Sequence, residues 1–300
     1  MRALLAFLAL FAAALGLVAL ATPAAWHLVS LLGTVPFHRV GNRLAMVGLA
    51  AGLWLLARWL RLNNRQDMGY GGALRPWLRQ LGVGLLLGLA FMLPLTLLML
   101  ATGLRRINID LNVLLLFKLL LSGLASGLVV AFIEESFLRG AMYTAVTRES
   151  GALPAVISTS LLYAATHFFA RFTILPADVG PGSGVDLVLG SLRAFAAPAQ
   201  MADAYLCLTA VGVLLAWVRR QTGNIAAGIG LHAGWVTLML VTLRISERDE
   251  HAAAGWLLSE HDGFVGWLTL AWTLLAAIPV LRYYQRQNPQ RAPAPASAAA

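Results

Sequence analysis

Of the thirteen carboxylates and six histidines in this chain, two of each sit where apolar neighbours leave little room for charge. Glu134 and Glu135 follow the run Val129-Val-Ala-Phe-Ile133 and precede Ser136-Phe-Leu-Arg139-Gly140. His167 closes Tyr163-Ala-Ala-Thr-His167, and His232 lies in Gly228-Ile-Gly-Leu-His232-Ala-Gly-Trp-Val236. An ionisable side chain in a bilayer-crossing segment costs about 2.5–3.5 kcal/mol on insertion scales, so its retention argues for a use. Carboxylates and imidazoles are the groups that take a proton from water, and an acid pair joined by two imidazoles can activate water for hydrolysis. The other histidines, His27, His38, His251 and His261, fall in connections between apolar runs, and Asp110 and Asp203 fall at their edges.

Spacing divides the labour within the acid pair. On a helix Glu135 and Arg139 are four residues apart and share a face, so the guanidinium can pair with that carboxylate. Glu134 points about 100° away and is left to meet other helices. The same string on a soluble helix is usually a solvated salt-bridge face. Its apolar flanks make an anchor at the membrane interface the stronger alternative. A single membrane histidine often serves only as an interhelical hydrogen-bonding group. Two of them with a glutamate pair are harder to explain that way. Lys118, earlier on the same helix, snorkels outward or pairs locally.

These residues resemble the CPBP or Abi group of intramembrane proteases, which includes the type II CAAX prenyl endopeptidases. The resemblance covers residues 111–242 in three motifs: Glu134-Glu135-x-x-x-Arg139 followed by Gly140, an aromatic residue (usually Phe) four positions before a histidine, present as Tyr163 and His167, and His232 in a Gly-rich helix start. The third motif usually carries Asn or Asp four residues after its histidine, where this chain has Val236. The resemblance implies that Glu134 activates a water with help from His167. It also implies that Glu135 and Arg139 form a supporting ion pair and that His232 stabilises the tetrahedral oxyanion. The missing side chain at 236 is assigned a hydrogen bond beside that oxyanion, and losing one such donor costs about 10²–10³ in rate. Trp235 or a backbone group would have to substitute. The resemblance further implies that Glu134, His167 and His232 could hold Zn²⁺ with a water in the open position. A metal-free glutamate mechanism is equally compatible with the residue types. Some relatives are bacteriocin-immunity or self-protection factors, which makes a non-catalytic membrane protein the alternative function.

Such a site needs a membrane scaffold, and the composition supplies one. The 300 residues are 59% hydrophobic with a mean hydropathy of +0.76, and only 12% are charged, too few to cover a soluble surface of this size. A crossing helix needs roughly 20 apolar residues. Eight segments qualify, near residues 3–21, 44–60, 81–104, 111–133, 153–170, 204–218, 225–243 and 264–281. The expected fold is therefore all-α, a polytopic transmembrane bundle. It divides into N-terminal helices (1–110), a protease-like core (111–243), an extramembrane loop with the last span (244–287) and a disordered Ala- and Pro-rich tail (288–300). Residues 172–200 form a long connection with a short surface helix near 185–195. Arg2 followed by an apolar run ending in Ala19-Leu-Ala21 also fits a cleaved secretory signal, but the run is long for one and a retained helix is favoured.

The net charge of +9 does not indicate nucleic-acid binding, because the arginines occupy the gaps between apolar runs, where they set orientation. Alternate connections receive thirteen and eight arginines, which places both termini in the cytoplasm, and the excess of Arg over Lys points to a bacterial inner membrane. The expected partners are the bilayer and a membrane-associated peptide or protein substrate. The single cysteine, Cys207, excludes an internal disulfide. A transporter reading would call for inverted repeats or paired broken helices, and neither is present.

Overall fold

The computed structural model describes residues 2–62, 64–169 and 172–287, so the tail expected at 288–300, with Arg291, and Arg171 lie outside the described residues. The chain forms α1 (Arg2–Ser30), α2 (Phe37–Trp59), α3 (Leu74–Ala101), α4 (Val113–Glu135), α5 (Tyr143–Ser150), α6 (Ala152–Thr166), α7 (Ser183–Ser191), α8 (Pro198–Thr222), α9 (Ala226–Ile245) and α10 (Trp267–Gln287). A two-stranded antiparallel ribbon, β1 (Arg105–Ile107) with β2 (Ser246–Arg248), pairs Arg106 with Glu247 and ties the end of α3 to the end of α9. The protein is an all-α polytopic membrane bundle. Sequence reading had no ribbon, because three-residue strands are too short to show alternation. His27 and His38 also lie in helices, at the end of α1 and the start of α2, rather than in a connection.

Among the described residues, six helical runs are long and apolar enough to cross a membrane: α1, α2, α3, Val113–Ser150, α8 and α9. The other two expected spans fall short. With 15 residues α6 rises only about 22 Å, less than the hydrocarbon core of about 30 Å. Along α10 the apolar run is diluted by tryptophans, tyrosines and Arg282. The expected short helix of the long connection is α7, whose Leu187 and Gly190 are buried.

The centre of the bundle is α9, which is buried over most of its length. Lipid is as apolar as leucine, so helices in a bilayer gain by bringing backbones close, which small residues four apart allow. Three such pairs meet at α9. A Cβ on Gly84 or Gly88 of α3 would come within 2.4 Å of Ala227 O and 2.3 Å of Leu231 O. In return, one on Gly230 or Gly234 would stand 2.0 Å from Leu81 O and 2.7 Å from Leu85 O. On the other flank a Cβ on Gly127 of α4 would stand 2.7 Å from Ala233 O and one on Gly123 3.1 Å from Thr237 O. Thr96 and Thr242 hydroxyls, 3.2 Å apart, add a polar contact between α3 and α9.

Local signals set the helix ends. The Asn112 side chain accepts a hydrogen bond from Leu115 N at 2.9 Å and starts α4. Gly223, at φ 75°, ends α8 in the left-handed region, and Asn224 Oδ1 accepts from Ala226 N to begin α9 one tight turn later. Arg105 is held inside the ribbon end by Ser246 Oγ, Ser246 O and Gly263 O. Gly151, at φ 89°, reverses the chain between α5 and α6.

The glycine contacts predict a contrast within one helix. Gly88→Val must push α3 from α9 at a cost of about 1–3 kcal/mol or more, whereas Gly82→Ala meets nothing within 4 Å. Thermal unfolding in detergent should show a lowered Tm for Gly88→Val and none for Gly82→Ala; equal midpoints would mean that α3 and α9 are not in backbone contact.

Candidate active site

Glu134 and Glu135 end α4, but the helix does not stop near Ile133 as expected. It passes through a π-helical segment, Ser136–Met142, into α5, giving one run of 38 residues. The π turn packs beneath the loop joining α2 and α3. A Cβ on Gly140 would stand 2.6 Å from Met68 O, and the Tyr70 hydroxyl is hydrogen-bonded to Ser136 Oγ. Burial pushes the Tyr70 phenol up, against the lowering effect of that hydrogen bond, and Tyr70 therefore stays protonated at neutral pH. π-Helical turns recur at functional sites because the extra residue re-aims side chains. No composition or period announces one.

Continuation of the helix also matches the depths of α4 and α6. Glu135 precedes Gly151 by sixteen residues, and His167 follows it by sixteen, so antiparallel packing brings them to similar levels. On the spans read from hydropathy, 111–133 and 153–170, Glu134 would instead lie at the cytoplasmic end of one span and His167 toward the opposite end of the next.

Glu135 is fully buried and its Oε1 is shared. Arg139 Nη1 donates to it at 3.1 Å, and His232 Nδ1 stands 3.2 Å from it. A buried carboxylate must be paired, and this one is paired from both α4 and α9. Its Oε2 lies 3.1 Å from where a Cβ on Gly228 would be, which explains the glycine one turn before His232. Arg139, also fully buried, donates from Nη2 to Gly212 O of α8 at 3.1 Å and lies over the Tyr163 ring, with Cζ 4.6 Å from the centroid. Its own carbonyl accepts from Arg219 Nε at 3.0 Å. Glu134 is only half-buried. Its Oε2 makes no hydrogen bond among the described residues and stands 3.9 Å from His232 Nε2, too far for a direct hydrogen bond.

His167 caps α6, half-buried. Its Nδ1 lies 2.8 Å from Tyr163 O, which can only accept, so Nδ1 carries the proton and Nε2 is the ring's basic nitrogen. The Tyr163 ring joins the two histidines, edge-on to His167 at 4.6 Å and to His232 at 5.8 Å between centroids. The Glu134, Glu135, Arg139 and His232 side chains thus converge directly, and His167 joins them through Tyr163. The zinc expectation on Glu134, His167 and His232 finds no matching arrangement: among the described residues no three His, Cys, Asp or Glu side chains are grouped to hold a metal ion. Trp235, considered as a substitute donor for position 236, packs its ring against Phe91 of α3. Tyr163 and Gly228 were the residues sequence reasoning left without roles. Their positions four residues from His167 and His232 were the available signal.

Compared with known proteins, residues 116–238 match the family described as Rce1-like, type II CAAX prenyl endopeptidase. No curated protein and no solved structure matches the chain. The matched region is the one that holds all three motifs and runs from α4 through most of α9.

Removing one member of a buried ion pair strands the other. Arg139→Leu should therefore destabilise by about 3–5 kcal/mol, and Glu135→Gln combined with Arg139→Leu should recover part of the loss. Unfolding in detergent measures both, and a single variant as stable as the parent would show that the pair is not held as buried charge in the folded protein.

Proposed function

We propose that this chain, whose residues 116–238 belong to the Rce1-like family, is an intramembrane endopeptidase that hydrolyses a peptide bond of a membrane-associated substrate. The observation that carries the reading is the division within the acid pair. Glu135, fully buried, is committed through Oε1 to Arg139 and His232, its sealed Oε2 making no hydrogen bond, while Glu134, half-buried on the same helix end, makes no hydrogen bond through either oxygen among the described residues. A base must be uncommitted to take a proton, and the paired neighbour keeps the helix end rigid.

In this proposal a water seated against Glu134 gives its proton to that carboxylate as its oxygen bonds to the peptide carbonyl carbon. The carbonyl π electrons move onto oxygen. The C–N bond then breaks, the carbonyl re-forms, and the proton held by Glu134 passes to the departing amine nitrogen. His167 Nε2 orients the water. His232 donates to the oxyanion from Nε2 when both its ring nitrogens are protonated, Nδ1 being directed at Glu135. No step is routed through a metal. With the arginine bias as its support, the orientation proposed has both ends of the described chain on the cytoplasmic side of a bacterial inner membrane.

Glu134→Gln should abolish cleavage without lowering the amount of folded protein, and His167→Ala should do the same. Comparing membrane peptides from cells carrying the parent or Glu134→Gln should reveal a substrate that accumulates uncut. Equal cleavage by the purified Gln variant would remove Glu134 as the base, and with it this reading.

A further inference from the structure

The oxyanion of a tetrahedral intermediate needs more than one donor, because charge developing in a site of low dielectric is stabilised by preorganised hydrogen bonds. The inventory of donors here is short. Arg139 spends Nη1 on Glu135 and Nη2 on Gly212 O, its buried Nε making no hydrogen bond among the described residues, His232 Nδ1 is directed at Glu135, and Trp235, whose Nε1 likewise makes none, packs its ring against Phe91. One turn beyond His232 stands Val236, which has no donor. The hydroxyls of Thr159, Ser160 and Thr237 are turned back onto carbonyls of their own helices.

Tyr163 is different. Its ring is buried at the junction of Arg139, His167 and His232, and among the described residues its hydroxyl makes no hydrogen bond. That hydroxyl lies within electrostatic reach of Glu134, Arg139 and Glu135. A phenol oxygen with no protein partner is available to one that exists only during the reaction.

We propose that the Tyr163 hydroxyl donates a hydrogen bond to the oxyanion and is a catalytic residue in this chain, supplying from α6 the donor that Val236 cannot supply from α9. The inference rests on the peptidase reading. In the covalent step the phenol keeps its proton; only the strength of its hydrogen bond changes as the carbonyl oxygen becomes negative.

The test uses the full chain in lipid vesicles with a library of proteome-derived, membrane-anchored peptides, and follows the most rapidly cut one. Tyr163→Phe retains the ring and its contacts, so folding should be kept. It should lower kcat about 10²–10³-fold with little change in KM. Adding Val236→Asn to Tyr163→Phe should recover at least tenfold, a rescue that a merely structural role for the hydroxyl would not produce. Unchanged kcat in Tyr163→Phe overturns the inference while leaving Glu134→Gln as the separate test of the peptidase reading. A loss that Val236→Asn does not repair also overturns it. If the parent protein cuts nothing in the library, both readings fall together.

Discussion

A carboxylate inside a membrane bundle cannot be left alone, and Glu135 organises the centre of this protein through the partners it must have. Its Oε1 meets Arg139 from its own helical run and His232 from α9. Arg139 in turn reaches Gly212 O on α8 and lies over the Tyr163 ring on α6. Four helices are thus tied to one oxygen atom and one guanidinium. Pairing of this kind adds little net stability relative to an apolar core of the same shape, but it penalises every arrangement in which a partner is missing. That penalty fixes the relative heights of α4, α6, α8 and α9.

Such a network works only if the backbones around it do not move, and the glycine pairs supply that stiffness. With Gly84 and Gly88 on one side and Gly123 and Gly127 on the other, α9 is gripped by backbone contact on two flanks. His232 sits between the two gripped stretches. The π turn has the complementary effect. It carries the helix past the acid pair without ending it, so that the polar group lies in mid-run instead of at a frayed terminus. The loop from α2 closes against that turn through Met68 and Tyr70.

The proposed chemistry follows from an asymmetry between neighbours. Adjacent residues on a helix face different directions, so one glutamate can be spent on structure while the next remains free. Were both committed, the site would hold its shape and have no base. Were both free, the carboxylates would repel each other and only backbone contact would hold α4 to α9 at this height.

Much of this was legible in the residues alone. A hydropathy this high and four ionisable groups stranded in apolar runs were enough to identify a membrane bundle and to mark Glu134, Glu135, His167 and His232 as candidates, because the cost of burying charge acts residue by residue and leaves its mark in the sequence. The spacing of Glu135 and Arg139 likewise predicted their pairing, since four residues is a local distance on a helix. What the sequence could not determine were the quantities that depend on how helices meet. The continuation of α4 through the π turn, the shortness of α6 as a span, the matched depth of Glu135 and His167, and the meeting of Tyr163 with both histidines arise from contacts between residues far apart in the chain. A periodic pattern reports which face of a helix is apolar; only packing decides which neighbour that face meets and at what height.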